Sequence, residues 1–172
     1  MSLYAVFQLI KKSDFPRFIA ALELPPPKHR SVAAVKAHPY RKFVVNNMTE
    51  LAEYQWSGYV FAFELAMFLK THSIKLEEFA LAKPTGQLAK YYEFGVMVFS
   101  GADAKRLAEK LDEILDGQKL IPEIEKFLKR IPPKSSRMSD KLPAQAVFDA
   151  LLILRYWLSR VEKNQFGILV YA

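Results

Sequence analysis

The sequence predicts an α+β fold, a mostly antiparallel sheet packed by amphipathic helices, and three observations point to it. Short apolar runs rich in β-branched and aromatic residues stand far apart, at 3–10, 92–99 and 166–171, as strands of one sheet would. Between the second and third runs lie segments with apolar residues at i, i+3, i+4 and i+7, the spacing of helices with one buried face. The 172 residues include 13 Phe, 8 Tyr and 2 Trp, and each such ring can bury ~150–250 Å², so a thick core is expected. The length fits a single domain, 1–172, large enough to fold without a metal or disulfide.

The elements follow in order. Leu3 to Ile10 is a strand, apolar on most of its surface. Ser13-Asp14 is read as a helix cap, with Pro16 in the first turn and the helix running to about Leu22. Leu24-Pro25-Pro26-Pro27 cannot continue it, since proline lacks a donor and constrains the residue before it. Lys28 to Lys42 is read as a long basic loop with room for one helical turn, interrupted at Pro39. A short strand is expected over Lys42–Val45. Asn47-Met48-Thr49-Glu50 then matches a capping pattern and opens a helix from Thr49 to about Lys70, bent at Gly58.

Ile74–Phe79 is expected as a short strand, with a turn at Lys83-Pro84-Thr85-Gly86. After the strand 92–99, Ser100-Gly101-Ala102-Asp103 caps a helix whose apolar side is Ala104, Leu107, Ala108, Leu111, Ile114 and Leu115, with Gly117 as its stop. Ile121–Ile131 is a shorter helix ended by Pro132-Pro133. Loops near 25–42 and 132–141 are expected to be mobile. The last helix, 143–163, carries one wide apolar arc and a second strip, Phe148, Leu152 and Tyr156, on its far side. It should be central, with the helices on one face of the sheet and Phe166–Tyr171 closing it.

Composition narrows function mostly by exclusion. There is no cysteine, so disulfides, Cys-ligated zinc, iron–sulfur clusters and a thiol nucleophile are excluded. The apolar run Leu3–Ile10 precedes Lys11-Lys12, the reverse of a secretory signal. Trp56–Leu69 carries Glu64 and is shorter than the ~20 residues a spanning helix needs. Cytoplasmic localisation without membrane association is the expectation. No phosphate-binding glycine loop, nucleophile elbow or zinc-protease motif occurs, and six glycines leave little for a backbone-lined nucleotide pocket. His29, His38 and His72 lack ligand spacing, so neither metal nor cofactor is expected.

The net charge of +7 is uneven: the first 48 residues and 122–142 are basic, while 49–121 is mildly acidic. Lys28, His29, Arg30, Lys36, His38, Tyr40, Arg41 and Lys42 form the first candidate site, with cations for phosphates and a ring for stacking. The competing reading is a solvated basic loop. Lys126, Lys129, Arg130, Lys134 and Arg137 form a second cluster, useful only if it adjoins the first. Glu64, among Phe61, Phe63, Leu65, Met67 and Phe68, is a weak candidate general acid or base, because burial favours the protonated carboxyl. The plainer reading is a structural pair with one cation, for instance Arg155, or a Glu on a narrow exposed strip. A phosphate cradle at Ser100–Asp103 is disfavoured, since Asp103 competes for the same N–H groups.

The leading expectation is a non-catalytic binding protein acting through protein–protein contacts: an immunity- or antitoxin-like inhibitor, an adaptor or a self-associating subunit. Phe148, Leu152, Arg155 and Tyr156 are its interface candidates. The alternative is a nucleic-acid or polyanion binder using 28–42 and 126–141. An enzyme built on Glu64 is the third.

Overall fold

The structure, a computed structural model, describes residues 5–28, 31–51, 60–81, 95–115, 119–131 and 143–171. Four strands form one antiparallel sheet: β1 (Ala5–Lys11), β2 (Met48–Glu50), β3 (Gly95–Ser100) and β4 (Gln165–Tyr171). Their order is β2-β1-β4-β3. The last strand therefore lies between the first and third, with Phe7 opposite Leu169 and Phe99 opposite Gly167. This is the expected α+β fold, with three strands where the apolar runs placed them; positions 92–94 fall outside the described residues.

Side chains alternate across a strand, so the sheet sends residues to two faces. Ala5, Phe7, Met97, Phe99 and Leu169 go to one cluster; Ile10, Val96, Val98, Ile168 and Val170 go to the other. The first face is covered by α4 (Ala66–Thr71), α5 (Gly101–Leu115), α6 (Leu120–Leu128) and α7 (Ala144–Ser159). The second is covered by α1 (Phe15–Leu22) and α3 (Pro39–Asn47), with α2 (Val32–Ala37) packed on α3. Helices thus lie on both faces, which corrects the one-sided arrangement expected from sequence. β3 and β4 are buried on both sides, and their apolar runs read accordingly.

On the first face, the Phe7 ring stacks between Trp157, at 5.5 Å, and Phe99, at 6.3 Å. All three are fully buried. Gly167 gives this stack its room: a Cβ there would lie 2.4 Å from the Phe7 ring and 2.7 Å from Val161. α7 runs beside α5, α6 and the π-helical turn Val60–Leu65 that leads into α4, and it is central as expected. It ends at Ser159, one turn before the expected Lys163.

Several local expectations give way to tertiary contacts. Within the expected loop 28–42 and strand Lys42–Val45, the described residues form two helices, α2 and α3. Ser31 Oγ accepts from the Ala34 N–H and starts α2, while Pro39, read as an interruption, is an early residue of α3, where its missing N–H is harmless. The capping pattern at Asn47–Glu50 does not open a helix. Asn47 instead closes α3, donating its side-chain amide to the Phe43 carbonyl at 2.8 Å. The chain then enters β2, where Gln8 donates to the Glu50 carboxylate at 3.2 Å and the Leu51 N–H reaches the Phe7 carbonyl.

The expected strand Ile74–Phe79 is a 3₁₀ turn over Leu76–Glu78. α4 ends with Ser73 at φ 60°, and the Ile74 N–H reaches back to the Leu69 carbonyl, the bond pattern of a Schellman stop. Asp14 makes no side-chain cap on α1 and pairs with Arg17 at 3.1 Å. At α5 the expected cap is present: Ser100 Oγ accepts from the Asp103 N–H and donates to the Asp103 carboxylate. The expectations for 52–59, 83–86, Gly117 and 132–141 concern positions outside the described residues.

Candidate functional site

α7 joins the core to the surface. At 100° per residue, its buried arc holds Val147, Ala150, Leu151, Leu154, Trp157 and Leu158. The opposite arc holds the second apolar strip. Phe148 is half-buried, while Leu152 and Tyr156, one turn apart, are 43 % and 44 % exposed. On the neighbouring helical segment, Phe63 and Met67 are also partly exposed.

Arg155 stands between the arcs and points to α5. Its Nε donates to Asp112 Oδ1 at 2.8 Å, and a terminal guanidinium nitrogen donates to Oδ2 at 3.0 Å, a two-pronged pair. The hydrogen bonds from Arg155 hold the Asp112 carboxyl below its ordinary range, against a smaller opposing effect of burial. The same bonds hold the Arg155 guanidinium above its own.

Beside this pair, a cleft of about 730 Å³ runs between α5 and α7. Ala108, Leu158 and Val161 line its apolar part. Lys12, Lys105, Arg155 and Lys163 contribute cations to it, and Glu109 and Asp112 carboxylates. Pairing of β1 with β4 brings its ends together: the Lys12 N–H donates to the Asn164 carbonyl at 2.9 Å. Gly101, the first residue of α5, sits against the same turn, where a Cβ would lie 2.7 Å from the Glu162 carbonyl oxygen. Asp103 faces Ser100 and Arg106. It is not part of the cleft lining.

The other sequence candidates are dispersed. Glu64 is buried at 2 % exposure in the π-helical turn and does not line this cleft. Its expected partner Arg155 is bound to Asp112 instead, a correction that follows from the facing of α7 towards α5. In the first basic segment, His38 and Tyr40 have structural positions. His38 Nδ1 accepts from the Tyr40 N–H, capping α3, so Nε2 is the nitrogen left to donate to the Pro25 carbonyl, 2.9 Å away. The Tyr40 ring packs near Phe18 and joins the second core cluster, so it is no free stacking platform.

Lys28, Lys36, Arg41 and Lys42 are exposed; His29 and Arg30 lie outside the described residues. Lys126, Lys129 and Arg130 are exposed on α6, with Lys134 and Arg137 outside. α3 belongs to one face of the sheet and α6 to the other, so these two basic helices stand in opposite layers. His72 caps the end of α4 with its ring edge on Phe68; its Nε2 lies 3.2 Å from Glu123 Oε1 but off the line of a hydrogen bond. Among the described residues no group of three or more His, Asp or Glu could hold a metal ion. No helix there is long and apolar enough to cross a membrane.

Lys12, Lys105 and Lys163 were not singled out from sequence. Only the capping turn Ser100–Asp103 hinted at this corner; Lys12 and Lys163 meet through strand pairing, which no local pattern encodes.

No family model matches the chain, and no curated protein matches it. Among solved structures it is similar to the crystal structure of a protein of unknown function, YfbM from Escherichia coli, with 12 % sequence identity, a TM-score of 0.49, and coverage of 98 % of this chain and 99 % of that one. At that identity and score, the likeness carries no argument about either fold or activity.

Proposed function

We propose that the protein is a non-catalytic binding protein that acts through protein–protein contact, with the outward arc of α7 as its contact face. The observation that carries this reading is the exposure of Leu152 and Tyr156 on a helix whose opposite arc is fully committed to the core. Aromatic anchors with a polar tip suit interfaces, because the ring supplies area and the hydroxyl a hydrogen bond. Arg155, already oriented by Asp112, stands at the edge of this face. A nucleic-acid surface built from 28–42 and 126–141 has less support, since α3 and α6 do not share a layer. A Glu64-centred enzyme has less still, since that carboxyl lies outside the described cleft.

A photo-crosslinking residue placed at position 152 tests this in the native cell extract. The expected result is one discrete adduct, either with a second copy or with one partner, that disappears in the Tyr156→Glu background. The same residue at exposed position 125 on α6 should give none. A strict monomer by light scattering, together with no adduct at 152, would overturn the reading.

A further inference from the structure

The cleft between α5 and α7 has a composition that the contact face does not explain. Its volume, about 730 Å³, falls in the range of small-molecule sites, ~300–1,000 Å³. Its cations outnumber its carboxylates, four to two. Asp112 is held in both oxygens by Arg155, and Glu109 lies 3.9 Å from Lys105. Lys12 and Lys163 have no carboxylate partner among the described residues. The Lys12 ammonium lies 5.5 Å from the centroid of Phe166, a ring that packs against the second-face cluster at the end of the sheet, and this contact leaves its charge unneutralised. Beneath this unmatched charge, the lining of Ala108, Leu158 and Val161 is apolar.

We propose that this cleft binds a small organic anion, its charged head between Lys12 and Lys163 and its apolar body against Leu158 and Val161. A concave apolar lining under a net positive charge concentrates such ligands and strengthens the attraction, because the wall excludes water on one side. An inorganic anion would use only the rim and an uncharged alcohol only the lining, so the combination defines the class. Phosphate and carboxylate heads share this chemistry. The site does not depend on the outward arc of α7, and its test is independent of the contact reading.

The full-length protein is titrated calorimetrically with hexyl phosphate, hexanoate, inorganic phosphate and hexanol. The expected result is saturable binding of hexyl phosphate or hexanoate, the tighter of the two identifying the head group, with inorganic phosphate and hexanol each at least about tenfold weaker. Lys12→Glu with Lys163→Glu should weaken the tighter ligand by more than about tenfold. Lys36→Glu with Lys42→Glu, an equal charge change in the other layer, should leave it within about twofold. Lys105→Glu, at a side chain 80 % exposed, serves if the double variant fails to fold. Absence of saturable binding in the millimolar range, equal loss in both charge pairs, or inorganic phosphate binding as tightly as hexyl phosphate would each overturn the proposal.

Discussion

The two faces of the sheet are built differently from the same four strands. On one, the helices α4 to α7 press a continuous core against Phe7, Phe99 and Leu169, with Trp157 stacked at its centre. On the other, two short helices, α1 and α3, cover Val96, Val98, Ile168 and Val170 with a thinner layer of half-buried rings. Cations finish that layer: the Arg17 guanidinium lies 5.5 Å from the Phe43 ring, and Lys12 lies as far from Phe166. The thick face draws its stability from area removed from water, at roughly 25 cal/mol per Å². The thin face adds caps and cation–ring contacts, each small, to a modest apolar patch.

Truncation should separate them most clearly. Trp157→Ala removes the centre of the stack and should cost ~4–5 kcal/mol, measured by urea unfolding. Phe18→Ala, also at a fully buried ring, should cost nearer ~3 kcal/mol, because a layer of two short helices collapses more readily around the gap. Equal losses would mean that the two layers are equally rigid.

Overpacking probes the thick face from the opposite direction. Gly167→Ala places a methyl 2.4 Å from the Phe7 ring and should cost ~1–3 kcal/mol. A neutral result in thermal unfolding would show that Phe7 can slide along the stack, and the face would be looser than its density suggests.

Capping contributes to the thin face through His38. His38→Ala removes the acceptor for the Tyr40 N–H and the contact with Pro25, and should cost ~1 kcal/mol. His38→Asn restores the cap alone and should recover about half of that loss. If alanine and asparagine behave alike, the Pro25 contact, not the cap, secures α3.

The smallest effect is electrostatic and belongs to the surface of the thick face. The Asp112 carboxyl is held below its ordinary range by hydrogen bonds from Arg155. Its contribution is therefore fully present above the ordinary aspartate range and is lost as pH falls through the lowered folded value. Both side chains are about two-fifths exposed, so solvent screening keeps this below ~1 kcal/mol. Asp112→Asn should abolish that part of the acid-side slope in stability while barely changing stability relative to wild type at the acid extreme. An unchanged slope would show that the pair contributes nothing measurable.

The long helices of the thick face and α1 of the thin face were legible in the sequence, while α2 and α3 were not, for a physical reason. Long helices such as α5 repeat their apolar positions over several turns, so periodicity identifies them without knowledge of the fold. α2 and α3 span only six and nine residues, too short for periodicity to outweigh the proline between them. Their caps come from Ser31 and His38, and histidine is not a residue read as a cap. Asn47–Glu50 shows the converse: a sound local capping pattern lost to the backbone hydrogen bonds offered by β1.

The candidate sites divide in the same way. That α7 has a second apolar strip was readable from its sequence; that Leu152 and Tyr156 remain exposed follows from which arc meets the sheet. The pairing of Arg155 with Asp112, and the gathering of Lys12 and Lys163 at one cleft, depend on contacts between residues far apart in the chain. Sequence alone determined the fold class, three strands, the long helices and the aromatic core, because burial and backbone periodicity are local and repeated. The tertiary structure decided which faces are covered and which charges meet, because strand pairing and helix packing bring together groups that no local pattern relates.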